Sequence, residues 1–176
     1  ALIGGLRVRL GDTVYDACRQ LTFRIFPSHG KWVGATSKPL EQYQGKAQTG
    51  PGWRVPPPAT RNETRHVLYD VNYWKSHTAE GLLTTPGDAG AITLCKGRDH
   101  RLLCDQLAAE YRTKVEAKGR VISEWAVRPE AFDNHLFDCL VGCSVGASIC
   151  GVSTNTPKRR RKPAKKRKPA KRVSYL

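Results

Sequence analysis

Residues 66–83, HVLYDVNYWKSHTAEGLL, predict a β-strand that runs almost directly into an α-helix. The apolar and aromatic residues that follow His66 favour a strand ending near Asp70, and the stretch from Tyr73 to Leu83 favours a helix. Ligands of open α/β sheets bind beyond the carboxyl ends of the strands, so Asp70 is a candidate site residue. The stretch therefore predicts a βα unit with a carboxylate at its turn.

The sequence downstream predicts a second βα unit followed by two further elements. An amphipathic helix is indicated by Leu103, Leu107 and Tyr111, whose spacing places them on one helical face. Asp133 stands where an N-cap would precede the last helix. The predicted elements are a strand at 91–95, a helix at 100–117, an edge strand at 121–127 and a helix from Asn134 to about Ile149.

Upstream, the pattern predicts short elements and then a long irregular excursion. The elements are a strand at 1–10, a helix at 13–20 with Asp12 as its N-cap, and a strand at 23–26. Residues 31–60 are so rich in Gly, Pro, Lys and Gln that a loop is favoured over regular structure. Alternating strands and helices on either side predict an α/β body of two or three layers.

Charge divides the chain into two parts. Eleven of the 30 Lys and Arg residues lie between Lys158 and Arg172, a stretch without acid, and the other 19 stand against all 15 Asp and Glu, which leaves residues 1–157 with a net charge of +4. The run KRRRKPAKKRKPAKR cannot bury a core, so it is expected to be disordered. We therefore expect a folded domain at 1–152 and a polybasic tail at 153–176.

The tail is typical of a nucleic-acid-binding arm, although a localisation signal or a solubilising run has the same composition. Each cation that neutralises a phosphate releases condensed counterions, which gives strong binding that is blind to sequence. An anionic membrane is disfavoured because no amphipathic helix or lipidation signal adjoins the run. The predicted DNA-binding residues of the tail are Lys158, Arg159, Arg160, Arg161, Lys162, Lys165, Lys166, Arg167, Lys168, Lys171 and Arg172.

Several other classes are disfavoured by the sequence. The six cysteines form no CxxC pair, the histidines and cysteines show no zinc spacing, and no signal peptide or membrane span is evident. These features favour a reducing, cytoplasmic setting. The segment around Ser144 matches GxSxG, but a helix is predicted before it and neither Asp nor His follows it, so a nucleophile elbow is disfavoured.

Three carboxylates are candidates for a metal-dependent nuclease site. Such a site needs acids that converge on ions about 3.5 to 4 Å apart, which clamp the attacking and leaving oxygens of a phosphodiester. Asp70 lies at a predicted strand end and Asp138 lies on the last predicted helix, within an apolar run that argues against free exposure. Asp133 is explained as a helix cap. The metal ligands and catalytic acids predicted are therefore Asp138 and Asp70.

Five blocks of this sequence together resemble a known family: DTVYDACRQ, FPSHGKWVGA, LYDVNYWKS, HRLLCDQLAAEYR and RPEAFDNHLFDCLVG. They are similar to phage terminase large subunits of the GpA type, in the C-terminal part of the endonuclease domain. The resemblance implies a partial RNase H-like fold, a mixed sheet with flanking helices. It also implies cleavage of double-stranded DNA during genome packaging, with Mg²⁺ or Mn²⁺ as cofactor and other terminase subunits or the portal as partners.

The resemblance assigns roles to particular residues. The family's N-x-x-x-D-C motif falls on Asn134 and Asp138, and its lysine after the aspartate-containing turn falls on Lys75, a predicted DNA contact. The family's middle acid is expected where Gly4 stands, and its first acid upstream of Ala1. Because the chain also lacks Met and a Walker-type motif, we expect a truncated or degenerate domain of low activity. The alternative hypothesis is a non-catalytic DNA-binding protein that uses its polybasic tail.

Overall fold

The computed structural model describes residues 2–3, 6–7, 11–21, 25–58, 64–130 and 133–152. Eight strands and four α-helices lie in these ranges. The strands are β1 (Leu2–Ile3), β2 (Leu6–Arg7), β3 (Ser28–Lys31), β4 (Gln48–Gly50), β5 (Trp53–Val55), β6 (Val67–Asp70), β7 (Glu110–Ala117) and β8 (Arg120–Val127). The helices are α1 (Gly11–Gln20), α2 (Val71–Leu83), α3 (Arg101–Ala108) and α4 (His135–Ile149), with a 3₁₀ turn at Leu40–Gln42.

The central sheet has four strands in the order β3-β6-β5-β4. Strand β3 runs parallel to β6, whereas β6 with β5 and β5 with β4 are antiparallel. Separate antiparallel pairs are formed by β1 with β2 and by β7 with β8. The described residues thus form a mixed sheet with flanking helices, which confirms the predicted α/β class.

The hydrophobic core lies between this sheet and helices α2 and α4. Trp53 and Tyr69 are cross-strand partners on one sheet face, where Trp53 is buried and Tyr69 packs against the core. Helix α4 contributes Phe137, Val141 and Val145, which are spaced four residues apart and so form one buried stripe. Because side chains alternate along a strand, the neighbours of Trp53 and Tyr69 point to the opposite sheet face.

Helices α2 and α4 also make polar contacts with their neighbours. The Thr78 hydroxyl, fully buried in α2, donates to Oγ of Ser144 at 3.1 Å, and Ser144 donates to the carbonyl of Leu140 within α4. Ser144 thus lies in the middle of a helix, which confirms that its GxSxG match is not a strand-to-helix elbow. Trp53 reaches α4 through its indole nitrogen, which donates to Ser148 at 3.0 Å.

The predictions for the two main helices are confirmed. Strand β6 and helix α2 occupy the predicted βα unit, and Asp70 is the N-cap of α2, where its carboxylate accepts from the backbone amide of Tyr73 at 3.1 Å. Helix α4 has the predicted extent, but the prediction of Asp133 as its N-cap is wrong, because Asn134 occupies that position. Asp133 lies one residue earlier and accepts from the amide of His135 at 3.2 Å. Strand β8 also matches the strand predicted at 121–127.

The prediction of an irregular segment at 31–60 is wrong, because β4 and β5 both lie within it. A tight turn at Pro51-Gly52 joins them, and Gly52 adopts a positive φ of 60° that suits glycine. Strand β5 is only three residues long, and it is held by pairing with β6 and by the burial of Trp53. Its stability is therefore non-local, and the local composition did not indicate it.

The predictions for residues 91–117 are wrong in two places. Residues 91–95 form no strand, and the helix predicted at 100–117 ends at Ala108, after which residues 110–117 form β7. A two-residue turn at Lys118-Gly119, with φ values of 53° and 69°, folds β7 back on β8 in a hairpin. The eight cross-strand residue pairs of this hairpin stabilise a strand where the spacing of the apolar residues had indicated a helix.

The N-terminal predictions are met in part. The strand predicted at 1–10 appears as β1 and β2, and the helix predicted at 13–20 begins at Gly11, so that Asp12 lies inside it. Of the strand predicted at 23–26, residues 25 and 26 are not in a strand and the remainder lies outside the described residues. The predicted tail, 153–176, also lies outside them. Among the helices described, none is long and apolar enough to cross a membrane.

Candidate active site

A buried lysine lies at the centre of a polar cluster between α2, β7 and α4. Lys75 belongs to the second turn of α2, and its side chain is only 7% exposed. Its ammonium group donates to Oε1 of Glu110 and forms an ion pair with Oδ1 of Asp138 at 3.0 Å. The ammonium also lies 5.4 Å from the ring centroid of Phe137. Lys75 thus connects the second turn of α2 to the start of β7 and to α4.

Glu110 is the most deeply buried charge of this cluster, with a side chain only 1% exposed. It is the first residue of β7, directly after α3 ends, so the helix-to-strand transition fixes its position. Its Oε1 accepts from Lys75 and also from Nδ2 of Asn134, at 2.5 Å. A buried carboxylate is tolerated only when it is paired and hydrogen-bonded, and these two donors meet that requirement.

Asp138 is the solvent-facing member of the cluster. It lies in the first turn of α4, where the positive end of the helix dipole favours a carboxylate, and its side chain is 44% exposed. Its backbone amide donates to the carbonyl of Asn134 at 3.2 Å, so the two residues are one turn apart and face the same way. Asn134 contacts Glu110, whereas Asp138 contacts Lys75. Both residues of the N-x-x-x-D motif therefore belong to the same polar cluster.

The cluster carries more negative than positive charge. One ammonium group faces the carboxylates of Glu110 and Asp138, so formal charges leave an excess of one negative charge. Tyr69 lies nearby, and burial first, then the charge of Asp138, raises the pKa of its hydroxyl to about 12. Tyr69 therefore stays protonated at neutral pH and cannot act as a base there. Of the two acids, Asp138 is the one open to solvent.

Asp70 occupies a different place. It lines a cleft of about 450 Å³ together with Glu41, His77, Glu80 and Arg120. Tyr69, the preceding residue, packs against the core beneath α4, so alternation along β6 directs Asp70 to the opposite sheet face. Within the described ranges, no hydrogen bond or ion pair joins Asp70 to Asp138.

The environment of Asp70 disfavours its charged form. Burial raises the pKa of its carboxyl above the ordinary value, and the charge of Glu41 adds to this rise. Backbone hydrogen bonds from Tyr73 and Asn72 lower the pKa but do not outweigh burial. Ionisation of Asp70 therefore lowers the stability of the folded chain.

The described residues do not make up a complete metal site. In the described part of the chain, no group of three or more His, Cys, Asp or Glu side chains is placed to hold a metal ion. Glu110 is already bound by Lys75 and Asn134, which leaves Asp138 as the accessible carboxylate. A two-metal site needs several carboxylates to offset the charge of the ions, and this donor set is too small.

Sequence reasoning missed Glu110 altogether. The residue fell inside the helix predicted at 100–117, and no role was assigned to it. Lys75 was expected to contact DNA, and the structure instead places its side chain against two carboxylates, so a DNA contact stays a prediction. The predicted tail contacts from Lys158 to Arg172 lie outside the described residues.

The raised pKa of Asp70 predicts a pH-dependent effect of substitution. Because the folded chain binds this proton more tightly than the unfolded chain, the contribution of Asp70 to stability falls as pH rises through its folded pKa. The Asp70→Asn variant keeps a good N-cap and carries no charge. We expect it to be more stable than the wild type at pH 7 in urea unfolding, with a smaller difference as pH falls toward about 4.

A matched variant controls for the loss of a negative charge from a basic chain. Asp99→Asn changes an exposed residue that also accepts a backbone amide, that of Arg101 at 2.9 Å. A wild type more stable at pH 7 than Asp70→Asn, after correction by this control, would show that the dipole of α2 outweighs burial at Asp70.

Comparison with known families identifies the chain. The family model described as "Terminase large subunit gpA, endonuclease domain" matches residues 9–161. No curated protein and no solved structure gives a match. The matched range covers most of the chain and includes the whole cluster of Lys75, Glu110, Asn134 and Asp138. The chain therefore belongs to the family of gpA-type terminase large-subunit endonuclease domains.

Proposed function

We propose that this chain is an RNase H-like nuclease unit that acts on double-stranded DNA during phage genome packaging, with Asp138 as its catalytic acid. The observation that carries the proposal is the position of Asp138. It is an accessible carboxylate held by a buried lysine, inside a domain whose family is an endonuclease family. A carboxylate so restrained loses little conformational freedom when it binds a substrate or an ion, which favours catalysis.

The other members of the cluster position Asp138. Lys75 holds one carboxylate oxygen at 3.0 Å and leaves the side chain 44% exposed. Glu110 fixes Lys75 from the buried side, and Asn134 fixes Glu110. We therefore assign Lys75, Glu110 and Asn134 as positioning residues. Asp70, the second acid predicted from the sequence, stays a prediction.

The proposed cofactor is Mg²⁺ or Mn²⁺, the ions that the family resemblance implies. Asp138 is the described residue best placed to be a ligand, and it supplies a single solvent-accessible carboxylate. The proposal therefore includes a weak metal site and slow cleavage by this chain. The proposed partners are duplex DNA and other terminase subunits or the portal, in a cytoplasmic setting.

A plasmid-nicking assay tests the proposal. With Mg²⁺ or Mn²⁺, we expect slow nicking that EDTA abolishes and that Asp138→Asn lowers by about 100-fold, the usual loss for one preorganised catalytic group. Asp133→Asn is the matched control, because Asp133 lies at the same helix end and does not contact Lys75. Asp70→Asn, assayed in parallel, tests the predicted second acid.

The assay also separates the proposal from its rival. Equal nicking by the wild type and Asp138→Asn would support the alternative of a non-catalytic DNA-binding protein. Rapid cutting that depends on Asp138 would instead show that the metal site is complete, and it would contradict the proposal of a weak metal site.

The polybasic tail is proposed to supply most of the affinity for DNA. The charge of its eleven Lys and Arg side chains exceeds the net charge of +4 on residues 1–157. Because each neutralised phosphate adds about 0.9 to the salt slope on duplex DNA, deletion of residues 153–176 should weaken binding and flatten its salt dependence. Filter binding at several salt concentrations measures both effects, and an unchanged slope would refute the role of the tail.

A further inference from the structure

A second charged feature lies on the folded body, away from the polar cluster. Three cations surround one aromatic ring, and we call Lys31, Lys38, Arg54 and Tyr43 the basic patch. The Lys31 and Lys38 ammonium groups lie 4.3 and 5.3 Å from the centroid of the Tyr43 ring, and the Arg54 guanidinium carbon lies 5.5 Å from it. Lys31 also donates to the Tyr43 hydroxyl.

Arg54 is the buried cation of this patch. The residue is 7% exposed, and Nη1 donates to the carbonyl of Tyr43 at 3.1 Å. Its Nε is buried and has no hydrogen-bond partner in the described part of the chain. A buried guanidinium without a countercharge is costly, and a bound anion would offset that cost.

Nearby acids do not neutralise the basic patch. In the described ranges, none of its three cations forms an ion pair. Asp70 lies beside Lys31 in the parallel register, but its carboxylate caps α2. Glu41 precedes Tyr43 by two residues and accepts instead from the amide of Gly52 at 3.1 Å.

The hydroxyl of Tyr43 responds to this concentration of positive charge. Its pKa is lowered from the ordinary value, first by the hydrogen bond from Lys31 and then by the charges of Lys31, Lys38 and Arg54, while burial acts in the opposite direction. The patch therefore stabilises negative charge at its centre, which is what an anion site must do.

The register of the sheet places Lys31 and Arg54 of the basic patch on a different sheet face from α4, the helix that carries Asp138. Arg54 pairs with Leu68, and Lys31 pairs with Asp70, so Arg54 and Lys31 lie on the sheet face opposite Trp53 and Tyr69. Helix α4 packs against the Trp53 face. A ligand of the patch would thus touch the body at a distance from the proposed catalytic acid.

We propose that the basic patch binds the phosphodiester backbone of DNA. This inference rests on the proposed function, since DNA is the polyanion on which the chain is proposed to act. Lys31 and Lys38 contact phosphate oxygens from the surface, and Arg54 adds positive potential from below. Such contacts position a duplex without reading its sequence, so they affect affinity and not specificity.

Salt-dependent binding of the full chain to a blunt duplex, in EDTA, tests the proposal. We expect the double variant Lys31→Gln/Lys38→Gln to bind more weakly than the wild type and to lower the salt slope by about 0.9 for each phosphate that is no longer neutralised. The matched control is Lys46→Gln/Lys96→Gln, which removes the same charge from two exposed lysines outside the patch. An equal decrease in both double variants would overturn the proposal, because general charge would then explain it.

A second measurement distinguishes the polymer from free phosphate. Inorganic phosphate at constant ionic strength should raise the melting temperature of the wild type less than the duplex does, because a duplex presents many phosphates to the chain at once. An equal rise would assign the patch to a small phosphate ligand and overturn the assignment to DNA. Both tests omit divalent metal, so a failure of the patch to bind DNA and a failure of Asp138-dependent nicking are read independently.

Discussion

The burial of one ammonium group is the constraint on which the site and the packing of three elements depend. Lys75 is 7% exposed, and an ion buried to that extent is stable only beside opposite charges. Glu110 and Asp138 supply these charges from β7 and α4, so the three elements must meet with a defined geometry. The ion pair with Lys75 restrains the Asp138 carboxylate, while its side chain stays 44% exposed.

The hydrophobic core and this polar cluster share one interface. Phe137 is 1% exposed and lies one residue before Asp138, and its ring packs against Trp125 with centroids 5.4 Å apart. The backbone amide of Trp125 in turn donates to the side-chain oxygen of Asn72 in α2 at 3.0 Å. Shifts of α4 that would relax the ion pairs therefore also disturb buried aromatic contacts.

Sequence patterns predicted the elements whose own residues carry a clear local signal. The apolar run before Asp70 and the helical stretch after it indicated β6 and α2, and the last helix was predicted to within one residue of its observed bounds. Local patterns failed at β5 and β7, whose own sequences favour a loop and a helix and whose strand conformation depends on pairing with a neighbour. Strand β5 depends on β6, and β7 depends on β8 through the turn at Lys118-Gly119, although the glycine in that turn was an available signal.

The same distinction applies to the site. Asp138 could be predicted because it lies in a spaced motif on one helix. Glu110 could not, since its significance comes from a lysine 35 positions earlier in the chain. Its assignment to the predicted helix also hid the abrupt change from α3 to β7 that fixes its position. Burial of a charge is a property of the assembled fold, and sequence spacing alone does not reveal it.

A double-mutant cycle between Lys75 and Glu110 tests whether the buried ammonium group depends on its carboxylate partner. The free energy of unfolding in urea is measured for the wild type, Lys75→Met, Glu110→Gln and the double variant. We expect Lys75→Met alone to lower stability by about 3 to 5 kcal/mol, because it leaves a buried carboxylate unpaired. We also expect a coupling energy of about 2 kcal/mol or more between the two sites. If the two effects add to within about 0.5 kcal/mol, the two charges do not depend on each other, and the buried ion pair does not hold the site together.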